Sequence, residues 1–203
     1  MSPLLDAVVT EYLPLEEYIA DFTVVSADLA GDIWKSERAQ HFREPGNKSW
    51  EAFVAGRWDE ALEIAEADLP KLEAYFADLA QRRSRFFRVR AVESPVSEYL
   101  RWELHVLRVR AQAGERIRIA DPAVTDLTEA KYGTVPELLI LGDAAGYVVD
   151  YGGDGAPRGA AKFAQPAAIA RCRAALQDMY DSSEEFEEFF TREVAPTSEY
   201  GDR

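Results

Sequence analysis

The chain has 203 residues, of which 47% are hydrophobic and 11% aromatic, so it can bury a core and is not expected to be disordered. Its formal net charge of −14 argues against binding to nucleic acid or to anionic membranes, since both repel a polyanion. The one cysteine, Cys172, cannot form an internal disulfide, and the first twenty residues contain no cationic, apolar leader. The sequence therefore predicts a cytoplasmic protein.

Composition and hydrophobic spacing divide the chain into three parts. We expect residues 1–32 to be an N-terminal extension with one short helix, favoured over Leu15 to Asp21. Residues 33–195 are expected to form a single α+β domain, because their elements follow one another without a long linker. Residues 196–203 are expected to be a disordered tail.

Leucines and a phenylalanine recur at spacings of three and four between Asp59 and Arg83, which predicts helical structure with one buried stripe. Pro70 lacks a backbone N–H, so it should kink this helix or begin a second one, with Asp68 as the N-cap. The elements expected before it are a strand over 33–38, a turn over 44–48, and a helix from Trp50 capped by Ser49.

The middle of the chain predicts a βαβ unit. Alternating side chains favour strands over Phe86–Val92 and Arg116–Ala120, and Val96–Arg110 between them has helical spacing. Because parallel neighbours need a crossover connection, these two strands should pair in parallel. Residues 121–134 are expected to be a loop or a weak helix.

The remainder of the domain predicts an antiparallel meander and a long C-terminal helix. That helix should start near Pro166 and carry Phe186 and Phe190 on its buried face, while glutamates cover its outer face. The fold class is therefore α+β, with a mixed sheet of about four to five strands packed with helices. The meander strands are Leu138–Leu141, Gly146–Tyr151 and Gly159–Phe163, with a hairpin turn at Gly152–Gly155.

A basic stretch stands out in this acidic chain, since residues 82–118 carry ten arginines and four glutamates. Arg88 and Arg90 alternate with apolar residues in the first strand of the βαβ unit, and Arg116 and Arg118 do so in the second. If the strands are parallel, four arginines could line one sheet face. Such a face would hold an anion or an acidic partner, or be neutralised by acidic helices elsewhere in the chain.

The helix between these strands places Glu103 and Arg110 on the same arc as its leucines. An unpaired carboxylate there would be costly, so Glu103 must be paired, protonated or open to a pocket. It is therefore either a buried ion pair that fixes the helix on the sheet or part of a polar pocket. The candidate ligand- or partner-binding residues are Arg88, Arg90, Glu93, Tyr99, Arg101, Trp102, Glu103, Arg110, Arg116 and Arg118.

Catalytic and metal-binding motifs are not recognised in the sequence. His41 and His105 are the only histidines, and neither has a metal-ligand spacing. Gly152–Gly155 lacks the lysine of a phosphate-binding loop. We therefore predict no catalytic residue, no metal and no cofactor.

Six segments of the chain carry a resemblance to a known family. They are Trp34–Phe42, Pro45, Ser49–Glu51, Gly56–Asp59, Arg88–His105 and Ala113–Arg118. Over roughly residues 30–195 the chain resembles an actinobacterial family of unknown function, number 6879. Its members are often encoded beside helix-turn-helix regulators, so the resemblance implies a regulatory association. It implies no activity and no catalytic residue.

Three functions follow from these observations. The first is a non-enzymatic regulatory or protein-interaction domain, whose acidic charge suits a basic partner such as a helix-turn-helix transcription regulator. The second is a sensor of a small anionic ligand that uses an arginine-lined sheet face. The third is an enzyme with an unrecognised carboxylate–arginine site. The sequence leaves the oligomeric state open.

Overall fold

A mixed eight-stranded sheet forms the centre of the protein in the computed structural model, which describes residues 3–6, 8 and 10–195. The expected tail over 196–203 lies outside the described residues. The sheet order is β1-β7-β6-β5-β2-β3-β4-β8. The strands are β1 (Glu11–Pro14), β2 (Ile33–Glu37), β3 (Phe86–Ala91), β4 (Arg116–Ala120), β5 (Leu138–Leu141), β6 (Ala145–Tyr151), β7 (Pro157–Phe163) and β8 (Glu184–Glu185).

Helices cover both faces of this sheet. One face packs against α1 to α5 and α8, and the other against α6, α7 and a short 3-10 helix, Pro3–Leu5. In the described residues no helix is both long enough and apolar enough to span a bilayer. The helices are α1 (Leu15–Ala27), α2 (Lys48–Val54), α3 (Trp58–Ala67), α4 (Leu69–Gln81), α5 (Glu98–Ala113), α6 (Pro122–Tyr132), α7 (Pro166–Ser182) and α8 (Phe186–Glu193).

The α+β class, the βαβ unit and the antiparallel meander are confirmed. β3 and β4 are parallel neighbours joined by α5, and β5, β6 and β7 pair in antiparallel order. The expected number of four to five strands is too low, since the sheet has eight. The two edge strands, β1 and β8, have four and two residues and carry little alternating pattern, so they left no clear signal in the sequence.

The expected cap of α2 is wrong, and the expected cap of α4 is correct in position only. α2 is capped by Asn47, whose side-chain oxygen accepts from the backbone N–H groups of Ser49 and Trp50. Asp68 stands at the N-cap position of α4, as expected, but its side chain makes no capping hydrogen bond. Pro70 lies in the first turn of this separate helix, also as expected. Residues 122–132 form a full helix, because Asp121 caps it by accepting from the backbone N–H of Val124.

The prediction of one long C-terminal helix is also wrong. α7 ends at Ser182, and the chain then forms β8, which pairs with β4, before α8 begins. As a result Phe186 and Phe190 join the core on the α5 side of the sheet, while Ile169 and Cys172 of α7 pack on the opposite side. The apolar spacing continues in phase through the break, so spacing alone predicts one helix.

The N-terminal segment contributes to the same sheet as the rest of the chain. β1 pairs antiparallel with β7, and α1 extends to Ala27, six residues beyond the expected end at Asp21. The division of the chain at residue 32 stays a prediction.

Candidate functional site

The four arginines of the βαβ unit lie on opposite faces of the sheet, so the predicted strip of four is wrong. The register of the parallel pair sets Arg88 beside Ile117 and Arg118 beside Val89. Residues paired in this way share a face, and one step along a strand reverses the face. Arg88 and Arg90 therefore point toward α5, while Arg116 and Arg118 point toward α7.

A chain of ion pairs runs across the α5 side of the sheet. Lys35 Nζ lies 2.6 Å from Glu37, and Glu37 also contacts Arg88. Arg88 Nε donates to Glu115 over 2.6 Å, and Glu115 accepts a further bond from Arg110 Nε. Three cations thus alternate with two carboxylates, and a cation, Lys35 or Arg110, stands at each end.

Position in the fold fixes the members of this network. Lys35 and Arg88 are direct partners in the parallel β2–β3 register, so their side chains stand next to each other on one face. Glu115 follows Gly114, which ends α5 in a positive-φ conformation and turns the chain into β4. The side chain of Glu115 is wholly inaccessible to solvent.

Arg90 and Glu103 form a second, separate buried pair beside the chain of ion pairs. Arg90 Nε and Nη2 both donate to Glu103 Oε2, over 2.9 and 2.7 Å. Arg90 Nη1 donates to the backbone carbonyls of Ala91 and Glu37. Because Arg90 is fully buried and each of its three side-chain nitrogens donates a hydrogen bond, it fastens α5 to β3, as the ion-pair interpretation of Glu103 expected.

A cleft of about 730 Å³ lies over this network, between the sheet, α3, α4, α5 and the segment around residues 42–49. Aromatic rings contribute to its wall, with Phe42 and Tyr151 4.5 Å apart between ring centroids. Among its described lining residues, cations outnumber carboxylates, the reverse of the whole chain. The cations are Lys35, Arg43, Lys48, Arg88 and Arg110, and the carboxylates are Glu37, Glu44, Asp68 and Glu103.

The segment that borders the cleft is tied to α5 by side-chain hydrogen bonds. Tyr99 donates to Glu44 over 3.0 Å, and Asn47 Nδ2 donates to the same carboxylate over 2.7 Å. Trp102 Nε1 donates to Ser49 Oγ over 2.9 Å, and Ser49 Oγ donates onward to the carbonyl of Ala61 in α3. Ser49, expected to cap α2, instead links α2, α3 and α5.

The carboxylates of the site differ in their affinity for protons. Burial raises the pKa of Glu37 and of Glu115, but the charges of their arginine and lysine partners outweigh it, so both pKa values lie below the usual range. Burial raises the pKa of Glu103 to about 7, because the single charge of Arg90 does not fully offset it. Burial also raises the pKa of Tyr99, so its hydroxyl stays a hydrogen-bond donor.

The structure brings together part of the candidate set. Arg88, Trp102, Glu103 and Arg110 line the cleft. Arg90 and Tyr99 stand behind it, bonded to Glu103 and Glu44 respectively.

The other four candidates lie away from the cleft. Arg116 is exposed on the opposite face, with its guanidinium 5.4 Å from the ring centroid of Phe87. Arg118 pairs with Glu185 and lies over the ring of Tyr180. Arg101 donates to the carbonyl of Val194, and Glu93 is exposed.

Sequence reasoning missed Lys35, Glu37 and Glu115. A signal for the first two was present, since Lys35 and Glu37 alternate in β2 as Arg88 and Arg90 do in β3. Using it requires knowing that β2 and β3 are neighbours, which the βαβ argument did not supply. In the described part of the chain no group of three or more His, Cys, Asp or Glu is placed to hold a metal ion.

These features define a mixed α+β domain with a polar cleft built over an ion-pair network. A family model described as a domain of unknown function (DUF6879) matches residues 20–191. The match includes β2 to β8 and every residue of the cleft lining, and the chain belongs to this family. No curated protein matches the chain.

Proposed function

We propose that the protein is a regulatory domain that binds a small anionic ligand in the cleft over the ion-pair network. The observation that carries the proposal is the excess of cations around this cleft in a chain with 37 acidic and 23 basic residues. Anions are attracted to a concave, partly buried site of positive charge, because the surrounding protein weakens solvent screening.

The donors for the anion are the two cations at the ends of the network. Within the described residues, Arg110 makes one hydrogen bond, from Nε to Glu115, so both of its terminal nitrogens can donate to a ligand. Lys35 has one partner, Glu37. Both side chains are about one quarter exposed, whereas Arg88 is almost fully buried between two carboxylates. Arg88 is therefore structural, and Lys35 and Arg110 recognise the ligand.

The test is thermal unfolding of the protein with sodium phosphate, sulfate, acetate and citrate at constant ionic strength. At tenfold above its Kd, a ligand should raise the Tm by roughly 3–6 °C. Lys35→Gln and Arg110→Gln should lose the shift, because each removes a donor to the anion. Arg116→Gln, which removes an arginine from the opposite sheet face, is the matched control and should keep it.

A result in which no anion raises the Tm of the wild type would refute anion binding. So would a shift of equal size in Arg110→Gln and Arg116→Gln, since it would show general salt stabilisation. Circular dichroism of each variant establishes that it is folded.

Surface features of α1 favour a second candidate, docking of a basic partner protein. In α1 no residue is buried, and Val24 is 72% exposed. Glu16 and Glu17 lie in its first turn, so an exposed apolar side chain stands on an acidic helix. That combination is complementary to a cationic DNA-binding regulator with an apolar contact residue.

The test titrates a purified basic helix-turn-helix protein onto the chain at 50 and 500 mM salt. Val24→Glu should abolish a salt-sensitive interaction. Leu127→Glu is the matched control, because Leu127 is 73% exposed on α6, on the other side of the sheet. Equal binding by both variants would exclude α1 as the docking surface.

The enzyme alternative stays a prediction. Glu37 and Glu103 line one cleft, and their pKa values are shifted in opposite directions, as in acid–base pairs. Each carboxylate is also held by an arginine, which is the arrangement of a structural ion pair.

A further inference from the structure

The cleft combines an apolar wall with a cationic floor. Phe42 and Trp102 are buried residues of the core beneath its wall, and Tyr151 and Val106 pack partly exposed against the same cluster. A ligand that filled only the cationic end would leave this wall in contact with water. Burial of an apolar group against this wall is favourable because it removes apolar surface from water, so the wall favours a ligand with an apolar body.

The charge of the floor fits a single negative charge. Along the ion-pair chain, Lys35, Arg88 and Arg110 face only two carboxylates, Glu37 and Glu115. One positive charge is left over. A monoanion neutralises it, whereas a phosphate ester with two charges, or a polyphosphate with more, would leave negative charge in a partly buried site.

Backbone amides that phosphate groups commonly use are already occupied at this cleft. The N–H groups of Ser49 and Trp50 at the start of α2 are bonded to the Asn47 side chain. The N–H of Gly46 donates to Glu51 over 3.1 Å. Phosphate sites in proteins are typically built from free N–H groups at a loop or helix start, and these three are not free.

Arg110 presents the geometry that a carboxylate requires. Its Nε is fixed by Glu115, and its guanidinium lies 5.7 Å from the ring centroid of Phe76 and 6.0 Å from that of Phe86. The guanidinium therefore lies near two aromatic rings, and its terminal nitrogens have no hydrogen-bond partner among the described residues. Two parallel N–H donors match the two oxygens of one carboxylate.

We propose that the ligand class of the cleft is a small organic monocarboxylate with an apolar body, its carboxylate bonded to Arg110 and attracted by the charge of Lys35, and its body against Tyr151 and Val106. This inference rests on the proposed anion-binding function and specifies the anion. It makes Arg110 the residue that selects the carboxylate and the aromatic wall the part that selects the body.

Isothermal titration calorimetry with a matched set of probes tests the class. The probes are 3-phenylpropanoate, its neutral amide 3-phenylpropanamide, acetate, phenyl phosphate and inorganic phosphate. We expect 3-phenylpropanoate to bind at least about tenfold more tightly than each of the other four. The amide lacks the charge, acetate lacks the body, and the phosphates carry excess charge.

Two variants report on the geometry. Arg110→Gln should weaken 3-phenylpropanoate at least about tenfold, and Arg110→Lys should weaken it as well, because an ammonium cannot form two parallel bonds. Arg116→Gln should leave the affinity unchanged.

Tighter binding of phenyl phosphate or phosphate, lost in Arg110→Gln, would overturn the monocarboxylate assignment and leave the anion site standing. Equal binding of 3-phenylpropanoate and its amide would overturn the carboxylate contact. Failure of every anionic probe to bind the folded wild type would overturn both the assignment and the proposed function.

Discussion

Glu115 is a buried carboxylate that neutralises part of the charge of two arginines, Arg88 and Arg110. Its side chain has no solvent-accessible surface, and its two oxygens accept from Arg88 and Arg110. Breaking one partner of a buried ion pair leaves an uncompensated charge, which costs far more than the pair contributes when intact. The packing of α5 against β3 and β4 is therefore sensitive to this one carboxylate.

We expect Glu115→Gln to lower the free energy of unfolding at pH 7 by about 3–5 kcal/mol, because Arg88 would remain buried and charged with one of its two carboxylate partners removed. Urea unfolding followed by tryptophan fluorescence measures the change. Glu60→Gln is the control, since Glu60 forms an exposed pair with Arg57, and it should cost less than about 1 kcal/mol. Equal costs in the two variants would contradict a structural role for Glu115.

At the scale of elements, α2 depends on its cap more than a longer helix would. It has seven residues, and Asn47 satisfies two of its first backbone N–H groups while also contacting Glu44 at the edge of the cleft. Short helices gain little from their own hydrogen bonds, so caps and tertiary contacts determine whether they form.

Asn47→Ala should therefore lower the free energy of unfolding by about 1 kcal/mol through loss of the cap. Hydrogen exchange should also become faster at residues 48–51 than in the wild type, because the first turn of α2 opens. Asn47→Ser, which keeps a capping acceptor without adding a charge beside Glu44, should restore slow exchange. Unchanged exchange in Asn47→Ala would show that contacts of Ser49 and Trp50 with the core hold α2 without the cap.

The interior elements could be predicted from the sequence because their patterns arise from local physical requirements. The strands β3 to β7 alternate or are continuously apolar, and α5 has a Ser97 cap and a Gly114 stop. β8 and the end of α7 could not, because Ser182–Ser183 contains neither glycine nor proline, and pairing with β4 is a tertiary effect.

The residues of the candidate site also divide into those that local sequence patterns predict and those that depend on tertiary pairing. Glu103 was recognised because a carboxylate on the apolar face of a helix is unusual. The sequence of that one helix is enough to show it. Lys35 and Glu115 join the site only through the strand neighbours β2–β3 and the turn into β4. Strand order across the sheet is not encoded in any single segment.

For the whole molecule, stability should depend on pH in two opposite ways. Glu37 and Glu115 have pKa values below the ordinary 4.5, so their contribution is present above that pH and is lost as the pH falls below it. Glu103 has a pKa raised to about 7, so the folded state retains a proton that the unfolded chain releases above 4.5. Its contribution is therefore lost as the pH rises toward 7.

We expect the free energy of unfolding of the wild type to fall between pH 5 and pH 7.5, by at most about 3 kcal/mol from Glu103. In Glu103→Gln, which cannot ionise, this decrease should become smaller. Urea unfolding at several pH values measures both slopes. Glu98→Gln, an exposed change on the same helix, should follow the wild-type profile. Identical slopes in all three proteins would contradict the raised pKa of Glu103.

The two short edge strands have a consequence for synthesis of the chain on the ribosome. β1 covers the outer side of β7, but β4 is covered by β8, which is made only when residues 184–185 are translated. Until then a nascent chain that has already paired β3 with β4 presents a row of unbonded backbone groups, a template for pairing with other chains. Slow translation or truncation before residue 184 would therefore favour aggregation during synthesis, and a chaperone that shields the β4 edge would suppress it.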